Sequence, residues 1–239
     1  MSSPHGPPAT EAWDLWTDTA RAPGLNMAVD EALLLTAPQR GRPLLRLYAW
    51  DRPAVTIGYV QKHAAAPPTG FAVVRRLTGG GVVYHDHDFT YSVVLPPDHW
   101  LAGLDRLRSY DWINRAVLAG LERCRLGGTL ATQELGRHVD RGTMVCFKHP
   151  TRYDILLGNR KVAGSAQRRL RTGILHQGSL HFGGPLPLPR PELSRRIVAG
   201  FVAELHCSFV PFTPSADLLK QAERLVEERY GTEAWNRRR

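Results

Sequence analysis

A cysteine and a lysine stand fifteen positions apart in the stretch MVCFKHPTRYDILLGNRKVAGSAQ, residues 144–167. A thiolate is a strong nucleophile, but a free cysteine thiol has a pKa of about 8.5, so this chemistry needs nearby positive charge. Lys161, Lys148 and His149 are the candidates for that charge. The residue types alone leave both partners open. Cys146 is a nucleophile or a small buried hydrophobe, and Lys161 is a site residue or an exposed hairpin lysine.

Three consecutive glycines at 79–81 precede the run HDHD at 85–88. A backbone without side chains can lie against a ligand and turn its amides toward a carbonyl or an oxyanion, although a bulge or tight turn is the plainer alternative. Neither a phosphate-binding nor a dinucleotide-binding pattern surrounds these glycines. Two histidines on one strand face are too few for zinc, so we predict no metal site. We expect His85 to form a hydrogen bond in a pocket and His87 to be solvated.

The elements that carry these residues follow from the hydrophobic pattern. Apolar residues at helical spacing predict helices at 25–37, 109–126, 191–206 and 215–231. Runs of β-branched and aromatic residues predict strands at 44–50, 54–60, 152–167 and 173–182. Residues 71–96 are predicted as strand, glycine turn and strand, and residues 129–143 as a loop. This order predicts an α+β fold with a mixed, largely antiparallel sheet flanked by helices.

Composition limits the class of protein. The chain has 239 residues, of which 43% are hydrophobic, and it lacks the long apolar run of a membrane span. We predict one domain over 1–239, with a core at about 20–185, a helical extension at about 190–230 and no accessory domain. Its three cysteines form no C-x-x-C pair, which favours reduced thiols and a cytoplasmic location, with Cys124 and Cys207 as structural residues.

The net charge of +9 favours an acidic partner. No zinc-finger spacing or other nucleic-acid reading motif occurs, so we predict no nucleic-acid partner and no membrane partner, and an acidic protein instead. The terminal NRRR is predicted to be a solvated tail.

Four blocks of the sequence resemble the lipoate-protein ligase and octanoyltransferase superfamily. RRLTGGGVVYHDHDFTYSVV is similar to its RRxTGGGxVxH signature, and GNRKVAGSAQRRLRTGILHQGSL to its GrKvaGSAQ signature with the following HxGSL-like strand. NMAVDEALL and LRLYAWDRPAVTIGYVQ resemble its opening helix and first strands. The blocks keep the family's order from about residue 24 to about residue 182. The resemblance therefore implies the biotin/lipoate ligase catalytic-domain fold, which is class II synthetase-like.

The cysteine context CFKHPTRYD resembles the CFxxPxxYD/E pattern of the LipM-type branch of octanoyltransferases. The resemblance implies that Cys146 accepts an acyl chain from a thioester. It also implies that Lys161, held near neutrality by burial and like charge, orients the carbonyl or takes a proton. The implied pocket residues are Arg75, Arg76, Thr78, Gly79, Gly80, Gly81, Val83, His85, Ala163, Gly164, Ser165 and His176. Small and apolar residues among them suit an acyl tail, because each buried methylene contributes about 0.8 kcal/mol.

The resemblance implies octanoyl transfer from an acyl carrier protein to a lysine of a lipoyl domain, in glycine cleavage H protein or a 2-oxoacid dehydrogenase E2, without a cofactor. Both partners are characteristically acidic, which agrees with the charge. Three alternatives stay open: an ATP- and magnesium-dependent lipoate-protein ligase, a lipoyl amidotransferase between lipoyl domains, and a non-catalytic carrier-binding protein.

Overall fold

The computed structural model describes residues 10–66, 70–134, 136, 139–140 and 142–239, with only the backbone of Lys148. Residues 1–9 of the predicted domain, parts of the predicted 129–143 loop and the Lys148 side chain lie outside that description.

The strands within the described residues are β1 (Glu11–Arg21), β2 (Leu44–Trp50), β3 (Ala54–Ile57), β4 (Ala72–Arg75), β5 (Val83–His85), β6 (Phe89–Leu95), β7 (Thr129–Leu130), β8 (Ile155–Leu157), β9 (Arg160–Leu170), β10 (Gly173–Leu180) and β11 (Cys207–Pro211). The helices are α1 (Pro23–Leu35), α2 (Ala37–Arg40), α3 (Trp100–Gly103), α4 (Arg106–Arg123), α5 (Arg190–Leu205), α6 (Ala216–Leu225) and α7 (Glu233–Asn236). Short 3-10 turns occupy His63–Ala65 and Cys146–Lys148, and a π-helical turn occupies Val226–Tyr230.

Two sheets organise these elements. The larger sheet has the order β11-β1-β2-β6-β10-β9-β8-β7, in which β1 runs parallel to β11 and β2 and the other pairs are antiparallel. The smaller sheet has the order β4-β3-β5, with β4 parallel and β5 antiparallel to β3. The predicted mixed, largely antiparallel α+β fold is confirmed.

Helices cover both faces of the larger sheet. α4 and α5 pack on one face, around a core that includes Trp13, Val117 and Phe201. A Cβ at Gly200 would lie 2.3 Å from the Gly120 nitrogen, so the two helix backbones meet where neither residue has a side chain. α1 and α6 pack in a second cluster on the other side. Within the described residues, every helix is too short or too polar to span a bilayer.

A buried acid connects α1 to the strands below it. Asp30 accepts hydrogen bonds from Arg46 at 2.7 Å, Ser92 at 2.9 Å and Gln177 at 2.7 Å. Tyr48 also donates to it, at 3.1 Å. A buried carboxylate with this many donors is fully compensated for its lost hydration, and it fixes the helix relative to the sheet.

Three features differ from the sequence-based predictions. β1 and β11 were not predicted, because β1 is rich in charged and polar residues and β11 is a short edge strand. The stretch after the glycine turn, predicted as one strand, forms two strands, β5 and β6, which belong to different sheets. The predicted solvated tail packs on the body instead, where the Arg238 guanidinium lies 3.8 Å from the centre of the Tyr59 ring.

Candidate active site

Cys146 is held against the glycine loop by backbone hydrogen bonds. The Val82 N–H donates to the Met144 carbonyl at 2.9 Å, and the Cys146 N–H donates to the Val82 carbonyl at 2.9 Å. A Cβ at Gly81 would lie 2.6 Å from the Met144 oxygen and 2.9 Å from the Cys146 nitrogen, so this approach requires glycine. Cys146 opens a 3-10 turn and is 9% exposed. The candidate nucleophile is therefore fixed by a distant part of the sequence.

Lys161 on β9 places its ammonium group between Cys146 and Asp154. Its Nζ lies 3.5 Å from Cys146 Sγ, 2.9 Å from the Cys146 carbonyl oxygen and 2.7 Å from Asp154 Oδ2. The same carboxylate accepts hydrogen bonds from the Thr151 N–H and hydroxyl at 2.6 and 2.9 Å. Gly164 leaves room for the amine, because a Cβ there would lie 2.6 Å from Lys161 Cε. The three groups are buried, which strengthens their mutual interaction.

These neighbours keep the Lys161 amine charged. Burial lowers the pKa of Lys161, but the negative charge of Cys146 and Asp154, with their hydrogen bonds, outweighs burial and leaves the pKa above its ordinary value. Burial also raises the pKa of Asp154, and Lys161 opposes that rise. The expectation that Lys161 is held near neutrality is wrong, because the Asp154 carboxylate lies 2.7 Å from its amine and favours the charged form.

The other two cysteines have structural surroundings. Burial raises the pKa of Cys207 to about 12, and it raises the pKa of Cys124 as well. Their sulfur atoms donate to the carbonyls of Phe201 and Gly120 at 3.6 and 3.4 Å. Both thiols therefore stay protonated near neutral pH.

Arg76 is buried and fixes the glycine loop. Its Nη2 donates to the carbonyls of Gly79 and Gly81 at 2.7 Å. Gly80 between them has a φ of +87°, and a Cβ there would lie 2.9 Å from the guanidinium. Burial lowers the pKa of Arg76 to about 10, while the charge of Cys146 acts in the opposite direction. No carboxylate in the described part of the chain pairs with this guanidinium, so its charge acts on the region around Cys146.

A mainly apolar slot begins at Cys146 and passes between strands of both sheets. Its lining residues are Met27, Tyr48, Trp50, Thr56, Arg76, Gly80, Val83, His85, Thr90, Cys146, Gly164, Ser165, Ala166, Gln177, Gly178 and Ser179. An outer cleft of about 340 Å³ opens on the other side of Cys146, and Lys161 and Gly79 lie in its wall. Cys146 thus stands where an apolar interior meets a more polar entrance.

His85 belongs to a buried hydrogen-bond network at the slot. Its Nδ1 lies 2.7 Å from Asp88 Oδ2 and its Nε2 lies 2.9 Å from Thr56 Oγ1, while the ring stacks on Trp50 at 4.0 Å. Burial raises the pKa of Asp88, but His85 and two hydroxyl donors outweigh burial, so the net shift is downward. His87 is exposed, and it does not share a face with His85 because β5 ends at His85.

Arg75 and Thr78, which we predicted as pocket residues, do not line the slot. The Arg75 guanidinium donates to backbone carbonyls, including those of Gln61 at 2.6 Å and Asn236 at 2.9 Å. Thr78 donates to Gln177 Oε1 at 2.7 Å, so it supports a slot residue without reaching the slot itself.

Ala163 and His176 also lie away from the slot. Ala163 packs in the hydrophobic core beneath α4 and α5. His176 is fully buried beside the rings of Tyr91 and Tyr110, and its Nδ1 lies 3.0 Å from Gln167 Nε2. Burial lowers the pKa of His176 to about 3, which keeps the ring neutral.

The remaining predicted residues meet in one region, around the slot and the outer cleft: Cys146, Lys161, Arg76, Gly79, Gly80, Gly81, Val83, His85, Gly164 and Ser165. Asp154 ends the quoted CFKHPTRYD motif, but we predicted no role for it from the sequence. Gln177 and Met27 were not predicted as slot residues either, because their residue types carry no signal for a slot. In the described residues, no group of three or more potential ligands is arranged to hold a metal ion.

The arrangement places a thiol beside an ammonium group, between an apolar slot and an open cleft, and such a combination suits acyl transfer. Residues 22–200 match the family model of the lipoyl protein ligase A/B catalytic domain, and the chain belongs to that family.

Named relatives and solved structures agree. Octanoyltransferase LipM of Brevibacillus brevis is 31% identical in an alignment 275 residues long, which covers 96% of this chain and 100% of the relative. Octanoyltransferase LipM of Moorella thermoacetica is 36% identical over 205 residues, covering 80% of this chain and 75% of the relative. A T. acidophilum structure described as a lipoate protein ligase with bound lipoic acid has a TM-score of 0.79 at 25% identity, covering 95% of this chain and 99% of that one.

Proposed function

We propose that this protein transfers an octanoyl group from an acyl-carrier-protein thioester to a lysine of a lipoyl domain, through a thioester on Cys146. The observation that carries the proposal is the contact of Lys161 Nζ with Cys146 Sγ at 3.5 Å, at the mouth of an apolar slot. The relatives named octanoyltransferase support the acyl group and the reaction class. We keep the cytoplasm as the location, because three unpaired cysteines suit a reducing compartment.

In the first step, the Cys146 thiolate attacks the carbonyl carbon of the donor thioester. The Lys161 ammonium stabilises the thiolate before attack, and the buried Arg76 guanidinium adds positive charge where the oxyanion forms. The donor sulfur then leaves and takes a proton from Lys161. The products are the acyl-enzyme, the free donor thiol and a neutral Lys161 amine.

In the second step, the acceptor lysine attacks the same carbonyl as a neutral amine. Lys161 takes the one proton that amide formation releases, and the bond to Cys146 breaks. Cys146 leaves as a thiolate beside a recharged Lys161, which restores the starting state. The acyl tail stays in the slot throughout, where the walls of Met27, Val83 and Ala166 exclude water from it.

Acylation itself changes the proton affinity of Lys161. Cys146 and Asp154 both raise the pKa of Lys161 in the free enzyme. A thioester on Cys146 carries no charge, so one of these two contributions disappears, and burial then counts for more. Lys161 is therefore an acid before acylation and a better base after it, which is the order that the two steps need.

The reaction needs neither nucleotide nor magnesium in this proposal, because the donor thioester already carries the activation that ATP supplies to a ligase. The test is multiple-turnover transfer to a lipoyl domain from octanoyl acyl carrier protein, without ATP or magnesium. We expect transfer by the wild-type protein and none by Cys146→Ala. Attachment of free octanoate or lipoate that requires ATP, with no transfer from the thioester, contradicts the proposal and favours a ligase.

A further inference from the structure

The 235–239 segment is fastened beside the active site by a buried arginine. Arg75 donates from Nε to the Trp235 carbonyl at 3.2 Å and from Nη2 to the Asn236 carbonyl at 2.9 Å. Trp235 Nε1 donates back to the Arg75 carbonyl at 2.9 Å. These bonds place Arg238 against Tyr59, where its Nη2 donates to the Tyr59 carbonyl at 2.6 Å. The segment is therefore a fixed part of the surface.

Two guanidinium groups share the Tyr59 ring. The Arg238 group lies 3.8 Å from the ring centre, and the Arg168 group lies 4.7 Å from it. Both arginines have a buried Nε without a hydrogen-bond partner. Arg237 pairs with Glu233 at 3.3 Å, but neither Arg168 nor Arg238 forms an ion pair with any carboxylate in the part of the chain that the structure describes. This surface therefore holds concentrated positive charge without a counter-charge of its own.

The positive charge borders the outer cleft. Arg238 donates to the Tyr59 carbonyl, and the next residue, Val60, lines that cleft. Arg106 and Leu107 line it as well. Val60 and Leu107 are 48% and 38% exposed, and they are two of the four exposed large apolar side chains among the described residues. The entrance to Cys146 thus combines exposed apolar side chains with arginines.

We propose that this rim surface docks the acidic carrier protein that delivers the acyl thioester. The rim surface is defined by Tyr59, Val60, Arg106, Leu107, Arg168 and Arg238. The inference rests on the function proposed above. Planar guanidinium groups pair well with carboxylates and with the phosphodiester of a carrier's prosthetic arm. Exposed apolar residues between them supply contact area, and complementary charge raises the rate of encounter. The docked arm then has a direct path through the outer cleft to Cys146.

The test compares two acyl donors in the first half-reaction, which is the acylation of Cys146. Octanoyl acyl carrier protein presents an acidic surface and a phosphodiester, whereas octanoyl-pantetheine has neither. For the double variant Arg168→Ala/Arg238→Ala, we expect kcat/KM with the carrier to fall about tenfold or more, equivalent to about 1.4 kcal/mol. With octanoyl-pantetheine, kcat/KM should stay within about twofold of wild type, because neither Arg168 nor Arg238 lines the outer cleft that this small donor enters.

Two further variants sharpen the comparison. Val60→Glu adds a negative charge at an exposed position of the cleft wall, and it should slow the carrier-bound donor more than octanoyl-pantetheine. Arg224→Ala, on the exposed side of α6, removes one positive charge away from the cleft and should leave both donors unaffected. The thermal midpoint of each variant is measured alongside.

Equal loss with both donors overturns the inference, because the rim would then act on the site and not on docking. A defect only in transfer from acyl-enzyme to the lipoyl domain also overturns it, since the surface would then serve the acceptor. Wild-type protein that accepts an octanoyl group from neither donor contradicts the proposed function itself, which is a different result from a selective defect in the variants.

Discussion

Asp154 helps to keep the Lys161 amine protonated in the free enzyme. A buried lysine without a negative neighbour tends toward the neutral form. Here the Asp154 carboxylate lies 2.7 Å from Lys161 Nζ, and the amine is charged in the free enzyme. The charged amine suits the first half-reaction, in which a thiolate must be stabilised and a leaving thiolate protonated. The neutral amine suits the second half-reaction, in which Lys161 must accept a proton. The chemistry therefore depends on a lysine that is charged beside a Cys146 thiolate and loses its proton more easily once Cys146 is acylated.

Substitution of Lys161 should separate the two half-reactions. Lys161→Ala should slow overall transfer by about 10² to 10⁴, the usual range for a positioned acid or base. Lys161→Arg keeps the charge that stabilises the thiolate but can neither give nor take a proton near neutral pH, so we expect some Cys146 acylation to remain and acyl-enzyme to accumulate. Quenched-flow sampling with intact mass measurement checks this. Near wild-type transfer by Lys161→Ala, with an unchanged thermal midpoint, would remove Lys161 from the mechanism.

Asp154→Asn should act through Lys161, since Asp154 is a positioning residue. Without the carboxylate, one of the two charges that oppose burial is lost and the pKa of Lys161 falls, so the amine loses its proton at lower pH. We expect acylation of Cys146 at neutral pH to slow by about 10- to 100-fold, the equivalent of one to two pKa units. The alkaline decline of the acylation rate should also move to lower pH. An unchanged pH profile in Asp154→Asn would contradict this role.

Sequence reasoning located the site residues by motif but could not tell which strand face each one occupies. Adjacent strand residues point to opposite sides. Gly164 and Gln177 line the slot, while their strand neighbours Ala163 and His176 point away from it. Arg76, just beyond the end of β4, lines the slot, whereas Arg75 in β4 does not. The motif that names both members of each pair contains no information about the side. Asp154 was missed for another reason, because its partner Lys161 is close only after β8 and β9 pair.

At the scale of elements, the site depends on a contact between two loops. The glycine turn between β4 and β5 and the 144–146 segment before the 3-10 turn are joined by the Val82–Val145 bridge. Composition predicted the glycine turn, but a contact between segments so distant in sequence has no local signal. The same limit explains why β1 and β11 were missed, since both owe their strand structure to neighbours in the sheet.

A single methyl group in the glycine turn should therefore displace Cys146. In Gly81→Ala, the new Cβ would meet the Met144 oxygen and the Cys146 nitrogen at less than 3 Å. We expect at least about a tenfold loss of Cys146 acylation, because small displacements of a reacting group cost large factors in rate. Gly79→Ala in the same turn meets nothing within 4 Å and should cause a smaller loss. Equal activity of the two variants would contradict the importance of this contact.

For the molecule as a whole, the buried His176 predicts how stability depends on pH. Its pKa is about 3 in the folded state, against about 6.5 in an unfolded chain. Between these values only the unfolded chain takes up this proton. The free energy of unfolding should therefore fall as pH drops below about 6.5, by up to about 1.4 kcal/mol per pH unit from this residue. Stability should be independent of His176 titration above that range.

Denaturant unfolding of wild type and His176→Gln between pH 7 and pH 4 checks this. The variant is expected to be less stable at neutral pH but to show a shallower decline toward acid. Parallel curves for the two proteins would contradict this, because they would mean that the pKa of His176 is the same in the folded and the unfolded chain.

The position of the rim surface depends on both charge and fold. The net charge of +9 predicted an acidic partner, but where that partner is proposed to dock depends on the 235–239 segment, which packs beside Tyr59. The sequence predicted a solvated tail there, because a run of arginines has no apolar face. The rings of Tyr59 and Trp235 instead provide the apolar surface on which Arg238 packs, since guanidinium planes stack well on aromatic rings.

In the proposed reaction, Cys146 carries the acyl group. The intact mass of the protein after incubation with octanoyl acyl carrier protein, without ATP, followed by peptide mapping, tests this most directly. We expect one octanoyl group on Cys146, removable by hydroxylamine, absent from Cys146→Ala and lost when a lipoyl domain is added. An octanoyl group found only on Cys124 or Cys207, or transfer to the lipoyl domain by Cys146→Ala, would contradict it.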